Sequence, residues 1–146
     1  GYCWNWVSKN NPDQYDIVID TFEAKWNLAT DGSLWIQAPN SVSEVGCIHT
    51  CQGLELDYIG VIIGDDLIYE GNQVKTNPNK RAKTDKSLSG FKGLIKTNPE
   101  FAYSQADSII RNTYRTLMTR GMKGCYIYCT DRALQDYFKS MLNLTV

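Results

Sequence analysis

The hydrophobic pattern of the chain is dominated by one nearly unbroken apolar run at residues 58–64 (YIGVIIG). Its β-branched residues, bounded by Gly and Asp, predict a strand buried on both faces, as in parallel sheets covered by helices. The polar segment 49–55 (HTCQGLE) precedes the run, and Asp65 and Asp66 follow it. Polar residues beside a buried strand are typical of functional loops on a rigid scaffold. We therefore expect a site within residues 44–67.

The N-terminal part predicts several short strands. Residues 1–7 alternate Tyr2, Trp4 and Trp6, which predicts a strand end with aromatics on one face. Such a row suits a core layer or an edge cover, and it could also stack nucleic-acid bases. A turn cluster at 8–15 then separates this segment from a short strand at 16–20.

A hairpin is predicted next. Residues 22–28 and the strand-like 34–36 flank a turn that contains Asp31 and Gly32, a pair that favours hairpins. Trp26 and Trp35 are expected to be packing residues.

A second hairpin and a basic loop follow the focal stretch. Residues 67–70 and 73–76 are short runs across a Gly71–Asn72 turn. The polar loop 77–86 carries the one concentrated group of cations, formed by Lys80, Arg81, Lys83 and Lys86. We interpret this group as a mobile, solvated surface, with phosphate binding as the alternative.

The C-terminal third predicts two helices, a strand and a last helix. The first helix spans 87–96, and Asn98–Pro99 is a start signal for the second. Apolar residues recur on one face of the second helix, at Ala106, Ile109, Ile110, Thr113 and Leu117. Arg111 and Arg115 lie on another face that is wet or docks elsewhere, and the helix should stop at Gly121 with Arg120 in its last turn. A strand at 124–130 and a helix at 131–142 complete an α/β layered domain.

Length and charge limit the function classes. The 146 residues suit a single domain over 1–146, with a small hairpin and basic-loop insertion at about 67–86. A net charge of −1 gives no general basic surface, so nucleic acid would need a local groove. The chain lacks the run of roughly 18 apolar residues that a membrane helix needs, so we expect no membrane partner. We expect a cytoplasmic location and interpret the chain as part of a longer protein.

The five cysteines do not predict a metal site. They include two Cys-x3-Cys pairs, Cys47/Cys51 and Cys125/Cys129. The second pair lies in a predicted strand, where four residues span about 13 Å. Sulfur ligands of one zinc ion lie only about 4 Å apart. The cysteines are therefore interpreted as small buried hydrophobes in a reducing cytoplasm.

Two separate segments resemble conserved motifs of superfamily 1 helicases. Residues 48–59 (IHTCQGLELDYI) are similar to the pattern T-x-H-x-x-K-G-L-E-F-D-x-V, and residues 115–121 (RTLMTRG) are similar to Y/N-V-A-x-T-R-A. Together with GYCWNW, KWN at 25–27 and NTYRTLMTRGMKGCYIY, they closely resemble one family. This family is the Schlafen-like (group 3) DNA/RNA helicase domain known from bacterial proteins, and the resemblance covers nearly the whole chain.

The resemblance implies a fold and partners. The expected fold is α/β, a RecA-like (P-loop NTPase-type) layered domain with a mostly parallel sheet flanked by helices. The chain would be the C-terminal lobe, facing an N-terminal RecA-like lobe of the same protein, with single-stranded DNA or RNA as the further partner. No G-x-x-x-x-G-K-[ST] segment occurs in the chain. ATP and Mg²⁺ are therefore expected in the full-length protein, and no cofactor or activity in this part alone.

The resemblance also assigns nucleotide-binding residues. Arg120 matches an arginine finger, a role that suits a permanently charged, bidentate phosphate ligand. Glu55 matches a ribose ligand, Gly53 allows close backbone approach, and Arg115 is a further nucleotide-binding candidate. The alternative for Arg120 is that it caps its helix, with Gly121 as the C′ residue.

Three residues match the positions that contact the single strand. His49 and Thr50 correspond to backbone-contacting positions, and Gln52 stands where a lysine is common. His49 could instead be a satisfied core residue. Leu117 and Gly121 also depart from the family pattern, where a small residue and alanine are usual, so we expect altered packing there.

Two other functions stay open at this point. One is a metal-dependent phosphodiesterase or nuclease that uses Asp65, Asp66 and possibly Asp57. The other is a protein-interaction module that keeps the fold without catalysis.

Overall fold

The computed structural model describes residues 2–27, 32–39 and 41–142. The strands are β1 (Ile17–Ile19), β2 (Phe22–Trp26), β3 (Glu44–Val45), β4 (Leu56–Ile63), β5 (Leu67–Glu70), β6 (Gln73–Thr76) and β7 (Gly121–Cys129). The α-helices are α1 (Ile48–Cys51), α2 (Phe91–Thr97), α3 (Pro99–Met118) and α4 (Arg132–Met141). Short 3₁₀ helices lie at Gly32–Gln37, Ser41–Ser43 and Pro78–Lys80.

The predicted α/β class is confirmed at the level of a mixed fold with a small parallel sheet and flanking helices. β4 and β7 pair in parallel, β5 and β6 pair antiparallel, and β2 pairs antiparallel with β1 and parallel with β3. Within the described residues these pairings form three small sheets. The single, mostly parallel sheet that was predicted is therefore not what these residues form.

The main core lies on one face of the β4–β7 pair. The parallel register places Val61 beside Ile127 and Ile63 beside Cys129, so alternate residues of both strands share this face. Ile110 of α3 and Leu134 of α4 belong to the same buried cluster as Val61 and Ile63. The helices therefore cover this face and fix the two strands relative to each other.

The opposite face of the same strands is open. Tyr58 is 57% exposed, Tyr126 71% and Tyr128 47%. The prediction that β4 is buried on both faces is thus wrong for these residues, because helices cover only one side of the pair.

Local sequence signals determine where α3 begins and which side it buries. The side chain of Asn98 accepts a hydrogen bond from Phe101 N at 3.2 Å, and Pro99 occupies the first turn. The predicted apolar face is confirmed, with Ala106, Ile110 and Thr113 buried. The helix ends at Met118, so Arg120 lies just beyond it and not in its last turn.

The β5–β6 hairpin has the predicted turn. Gly71 and Asn72 both have φ of 60°, as a two-residue type I′ connection requires. The hairpin rests on α3, because Arg111 Nη2 donates to the carbonyl of Val74 at 2.7 Å and Thr76 Oγ1 donates to Asp107 at 2.9 Å. Arg111 therefore docks onto another element, as one of the predicted options had it, whereas Arg115 is exposed, as the other had it.

The N-terminal segment differs from its prediction. Residues 2–7 form no strand. Instead Tyr2, Trp4 and Trp6 pack on the second core, around Ile17 and Trp26. Their alternation thus reflects packing of an irregular segment, which agrees with the core-layer alternative.

The predicted strand at 34–36 is also wrong, because these residues belong to a 3₁₀ helix. Residues 28–31 of that predicted hairpin lie outside the described residues. Trp26 and Trp35 are 5% and 8% exposed, so both are packing residues as predicted. Among the helices of the described residues, none is both long and apolar enough to cross a membrane.

Candidate functional site

A tight elbow, formed by residues 48–55, leads into β4. Residues 48–51 form the single turn of α1, which starts after Cys47 with a hydrogen bond from Cys51 N to Cys47 O at 3.0 Å. Gly53 then has φ of +79°, a backbone conformation that favours glycine. This left-handed residue reverses the chain, so that Leu56 can begin the strand.

The elbow lies directly beside the end of α3. Leu56 N donates to the carbonyl of Arg120 at 3.0 Å, and Leu56 pairs with Gly121 in the strand register. The two sequence motifs are some sixty residues apart in the chain, and this pairing brings them into contact at the amino ends of β4 and β7.

The guanidinium of Arg120 is held between these two segments. Its Nε donates to the carbonyl of Thr116 at 3.2 Å, and Nη1 lies 3.5 Å from the carbonyl of Leu54. The first contact is the helix-capping role that was the alternative for Arg120. The second contact links the group to the elbow, so the side chain is partly buried and its orientation is fixed by backbone acceptors.

Gly121 does not act as the left-handed C′ residue of α3, because its φ is not positive. It is required by a close approach instead. A Cβ at this position would lie 2.2 Å from the carbonyl oxygen of Gly124 and 3.0 Å from Ile59 Cγ2. The departure from the family's alanine thus reflects the irregular start of β7, where the register shifts between Leu56 and Tyr58.

The residues that were predicted to contact single-stranded nucleic acid differ in exposure and in hydrogen bonding. His49 and Gln52 are exposed on the elbow. Thr50 is half-buried, and its hydroxyl lies 2.9 Å from Asn27 Oδ1 and 3.0 Å from Cys47 O. Trp35 Nε1 also donates to the carbonyl of Thr50 at 3.2 Å. Thr50 therefore holds the elbow together, and His49 is not a buried core residue.

The predicted nucleotide-binding residues lie along the same edge. Glu55 is exposed between Leu54 and the first residue of β4, and Gly53 is exposed at the turn. Arg115 is exposed on α3, five residues before Arg120. Gly53, Glu55 and Arg120 are thus brought together by the fold, whereas Arg115 is placed near them only by its position on the helix.

The carboxylates of the proposed metal site do not converge. Asp57 pairs with Lys123 at 2.7 Å near the amino end of β4. Asp65 lies past the carboxyl end and accepts from Thr130 Oγ1 at 2.7 Å. Eight residues of mostly extended chain separate the two, roughly 26 Å. Within residues 2–27, 32–39 and 41–142, no group of three or more His, Cys, Asp or Glu side chains could hold a metal ion.

Asp66 belongs to a buried polar network instead. It is 0% exposed, forms an ion pair with Arg81, and accepts a hydrogen bond from the hydroxyl of Tyr114. Arg81 Nη1 also donates to Asp85 at 3.0 Å, and Asp85 accepts from Tyr2 N at 3.0 Å. The network ties β4, α3, the basic loop and the N-terminal segment together.

This network corrects the interpretation of the basic loop as a solvated surface at Arg81, whereas Lys80, Lys83 and Lys86 are exposed as that interpretation has it. The side chain of Arg81 is 4% exposed and that of Asp85 1%. Burial raises the pKa of Asp85, but hydrogen bonds from Ser87 and Arg81 outweigh it, and the pKa lies below its usual value. Burial and the neighbouring Asp66 raise the pKa of Tyr114 well above its usual value, so its hydroxyl stays protonated. Nothing near Arg81 in the sequence indicates this network, because residues 81–85 are not helical and the partners Asp66 and Tyr2 are distant in the chain.

The cysteines behave as small core residues. Cys47, Cys51 and Cys129 are buried, as predicted, whereas Cys3 and Cys125 are only half-buried. Burial raises the pKa of Cys51 to about 11 and that of Cys129 to about 12. These thiols are therefore neutral at ordinary pH and poor nucleophiles.

Comparisons with known proteins agree with the two motifs. Residues 1–131 match the family described as Schlafen group 3, DNA/RNA helicase domain. The chain is also similar to the uncharacterized protein YPL245W of Saccharomyces cerevisiae, with 30% identity over 128 residues. That alignment covers 85% of this chain and 27% of the yeast protein, so the chain spans about a quarter of the relative's length. No solved structure matches the chain. Because the family match covers most of its length, the chain belongs to the Schlafen group 3 DNA/RNA helicase domain family.

Proposed function

We propose that this chain is the second RecA-like lobe of a nucleic-acid-dependent ATPase or helicase. In this role it supplies Arg120 to a nucleotide held by an N-terminal RecA-like lobe of the same protein. ATP and Mg²⁺ are then ligands of the assembled protein, and neither is expected to bind this chain alone. The site in this chain is half of a cleft.

One observation carries the proposal. The guanidinium of Arg120 is anchored through Nε to Thr116 O and through Nη1 toward Leu54 O, next to the exposed Glu55. An anchored cation can stabilise charge on a transferring phosphoryl group without reorganising in the transition state. Glu55 supplies an acceptor for ribose hydroxyls, and the open backbone at Gly53 allows a nucleotide to approach closely. The donor and acceptor types at this edge therefore fit a nucleotide.

The part of the proposal that concerns single-stranded nucleic acid rests on the elbow. His49 and Gln52 are exposed there and can donate hydrogen bonds to phosphate oxygens, which position a strand without selecting its sequence. Thr50 can take part only if its hydroxyl exchanges Asn27 or Cys47 for a phosphate oxygen. We therefore assign the first contacts to His49 and Gln52 and a supporting one to Thr50.

The test replaces Arg120 in the full-length protein. Removing an arginine finger lowers turnover by about 10³–10⁵-fold. We expect Arg120→Ala to reduce strand-stimulated ATP hydrolysis in that range while ATP affinity stays within a few-fold. Arg120→Lys keeps the charge but loses the fork, so it should recover only a small part of the rate.

The control is Arg132→Ala, an exposed arginine at the opposite end of β7. Because Arg120 also caps α3, the melting temperature of each variant is measured beside its turnover. Turnover of Arg120→Ala equal to that of Arg132→Ala would refute the finger role. A loss of turnover that follows only a loss of folded protein would refute it as well.

A further inference from the structure

A cavity lined by both polar and apolar groups lies between the basic loop (residues 77–86) and the start of α2. Its volume is about 520 Å³, and its lining includes Asn5, Arg81, Lys83, Gly90, Lys92 and Gly93. It lies apart from the elbow and Arg120, and neither motif contributes to it. We propose that this cavity binds a phosphate group of the single strand, which deepens the proposed function and rests on it.

The charge of the lining favours an anion. Lys83 and Lys92 are both exposed, and their ammonium groups are free to turn toward the cavity. Asp85 also lines the cavity, but both of its oxygens already accept hydrogen bonds. Oδ1 accepts from Ser87 N at 2.8 Å, and Oδ2 accepts from Tyr2 N, Arg81 Nη1 and Ser87 Oγ. The hydrogen-bonding capacity of the carboxylate is thus satisfied, and Arg81, Lys83 and Lys92 outweigh its charge, so the lining as a whole is positive.

A buried donor on one of the lining residues supports the same conclusion. The side chain of Arg81 is 4% exposed, and its Nη2 is buried with no hydrogen-bond partner among the residues that the structure describes. Buried donors in native proteins are nearly always paired with protein, water or ligand. After a small shift of the lining side chains, an oxyanion in the cavity would supply the missing acceptor, since arginine and phosphate match in charge and geometry.

Two glycines leave room for the ligand. Gly93 lies inside α2, where glycine is less favourable than alanine, and a Cβ there would meet nothing within 4 Å. Gly90 has φ of +85° and equally open space around it. Packing within the described chain therefore does not require Gly93, whereas close approach of a ligand to the helix backbone would.

The test measures strand binding by the full-length protein without ATP. Anisotropy of a labelled single-stranded oligonucleotide is followed for Lys83→Ala/Lys92→Ala at several salt concentrations. We expect affinity to fall by about ten-fold or more. The slope of log affinity against log salt concentration should become shallower by about 0.7 for each phosphate that the variant no longer neutralises. The control Lys86→Ala/Lys96→Ala removes the same charge from the same loop and helix outside the cavity lining, and it should change the slope much less.

A second variant fills the cavity without removing charge. Gly93→Leu favours helix over glycine, so it should fold, and it should weaken strand binding as the lysine variant does. If both double variants and Gly93→Leu bind the strand equally well, this inference is wrong and the proposed function is unaffected. A wild-type protein that binds no strand would overturn it together with the strand half of the proposed function.

A separate arm identifies the source of the phosphate group. Melting of the wild type and of Lys83→Ala/Lys92→Ala is compared with and without inorganic phosphate. If phosphate stabilises only the wild type while strand binding is unchanged, the cavity holds a free phosphorylated ligand and the strand assignment is wrong. If strand binding falls as expected, the strand is the ligand.

Discussion

Replacing Arg81 by methionine should be among the most damaging single changes in the chain. Its partners Asp66 and Asp85 have side chains that are 0% and 1% exposed, and Arg81 itself is 4% exposed. Methionine keeps the apolar stem but leaves Asp66 as a buried charge without its cation. Removing one partner of a buried ion pair costs about 3–5 kcal/mol. For a domain of this size that lowers the melting temperature by roughly 6–20 °C.

The same substitution at an exposed pair provides the control. Lys75 and Glu70 form an ion pair at 2.9 Å with side chains that are 45% and 68% exposed. Exposed pairs contribute about 0.2–1 kcal/mol because water and salt screen them. Lys75→Met should therefore shift the unfolding midpoint only slightly.

The assay is urea unfolding of the chain followed by tryptophan fluorescence. Trp4 and Trp6 lie in the N-terminal segment that Asp85 holds through Tyr2 N, so their emission reports this region directly. Adding Asp66→Asn to Arg81→Met should restore part of the stability, because the uncompensated charge is removed. If Arg81→Met costs no more than Lys75→Met, the network does not hold the loop and the reasoning is wrong.

Two further predictions concern packing and pH. Gly121→Ala should lower the unfolding free energy by about 1–3 kcal/mol in the same urea assay, because its Cβ would lie 2.2 Å from the carbonyl oxygen of Gly124. Gly60→Ala should be nearly neutral, because a Cβ there would meet nothing within 4 Å. Stability should also fall as pH rises above about 8.5, the pKa of an unfolded thiol. The folded pKa of Cys51 is raised to about 11, so the folded state keeps a proton that the unfolded state has lost. Urea midpoints at neutral pH and at pH about 10 test this, and Cys51→Ala should flatten the dependence.

Much of the fold follows from local signals. The positive φ of Gly71 and Asn72 is what their residue types favour, so that hairpin was predictable without any partner. Likewise Asn98 and Pro99 determine the start of α3 through hydrogen bonds within its first turn. In each case the energy that selects the structure comes from residues a few positions apart, which a sequence displays directly.

Residues whose structure depends on distant partners were predicted wrongly. Asp66 and Arg81 are polar, and polar residues are usually exposed, yet together with Tyr114 they form a buried network across 48 residues of chain. Tyr58 belongs to an apolar run that predicts burial on both faces, yet it is 57% exposed. Burial is a property of what packs on a residue, and the pattern of one strand cannot supply that.

The candidate site was predictable to a different degree at each residue. The contact between the elbow and Arg120 follows from parallel pairing of β4 with β7, which are connected through the β5–β6 hairpin, α2 and α3. A mostly parallel sheet flanked by helices predicts such a pairing. The engagement of Thr50 with Asn27 was not predictable, because nothing near residue 50 indicates that its hydroxyl has an internal acceptor. The cavity at Arg81 also required the three-dimensional arrangement, since its lining comes from three separate segments.

The two ends of the β4–β7 pair can be distinguished by how their polar groups are used. Open α/β sheets usually bind ligands beyond the carboxyl ends of their strands. Here Asp66 is sealed by Arg81 at that end, and Asp65 accepts from Thr130. At the amino end Glu55 is exposed and Arg120 is oriented by backbone carbonyls. Arg120 has no carboxylate partner among the described residues, so its full charge is available to an external anion. Arg81 has most of its charge compensated by Asp66 and Asp85.

This contrast separates the roles of two arginines that look similar in sequence. Arg81→Met should lower the unfolding free energy and, at saturating strand concentration, reduce ATP turnover only in proportion to lost folded protein. Arg120→Ala should reduce turnover by orders of magnitude with a stability cost of about 1 kcal/mol or less, the size of a helix-terminus interaction. Plotting turnover against the folded fraction for both variants makes the comparison quantitative. A turnover defect in Arg81→Met at full folding and saturating strand concentration would place the working charge at the carboxyl end of the strands and reverse the assignment.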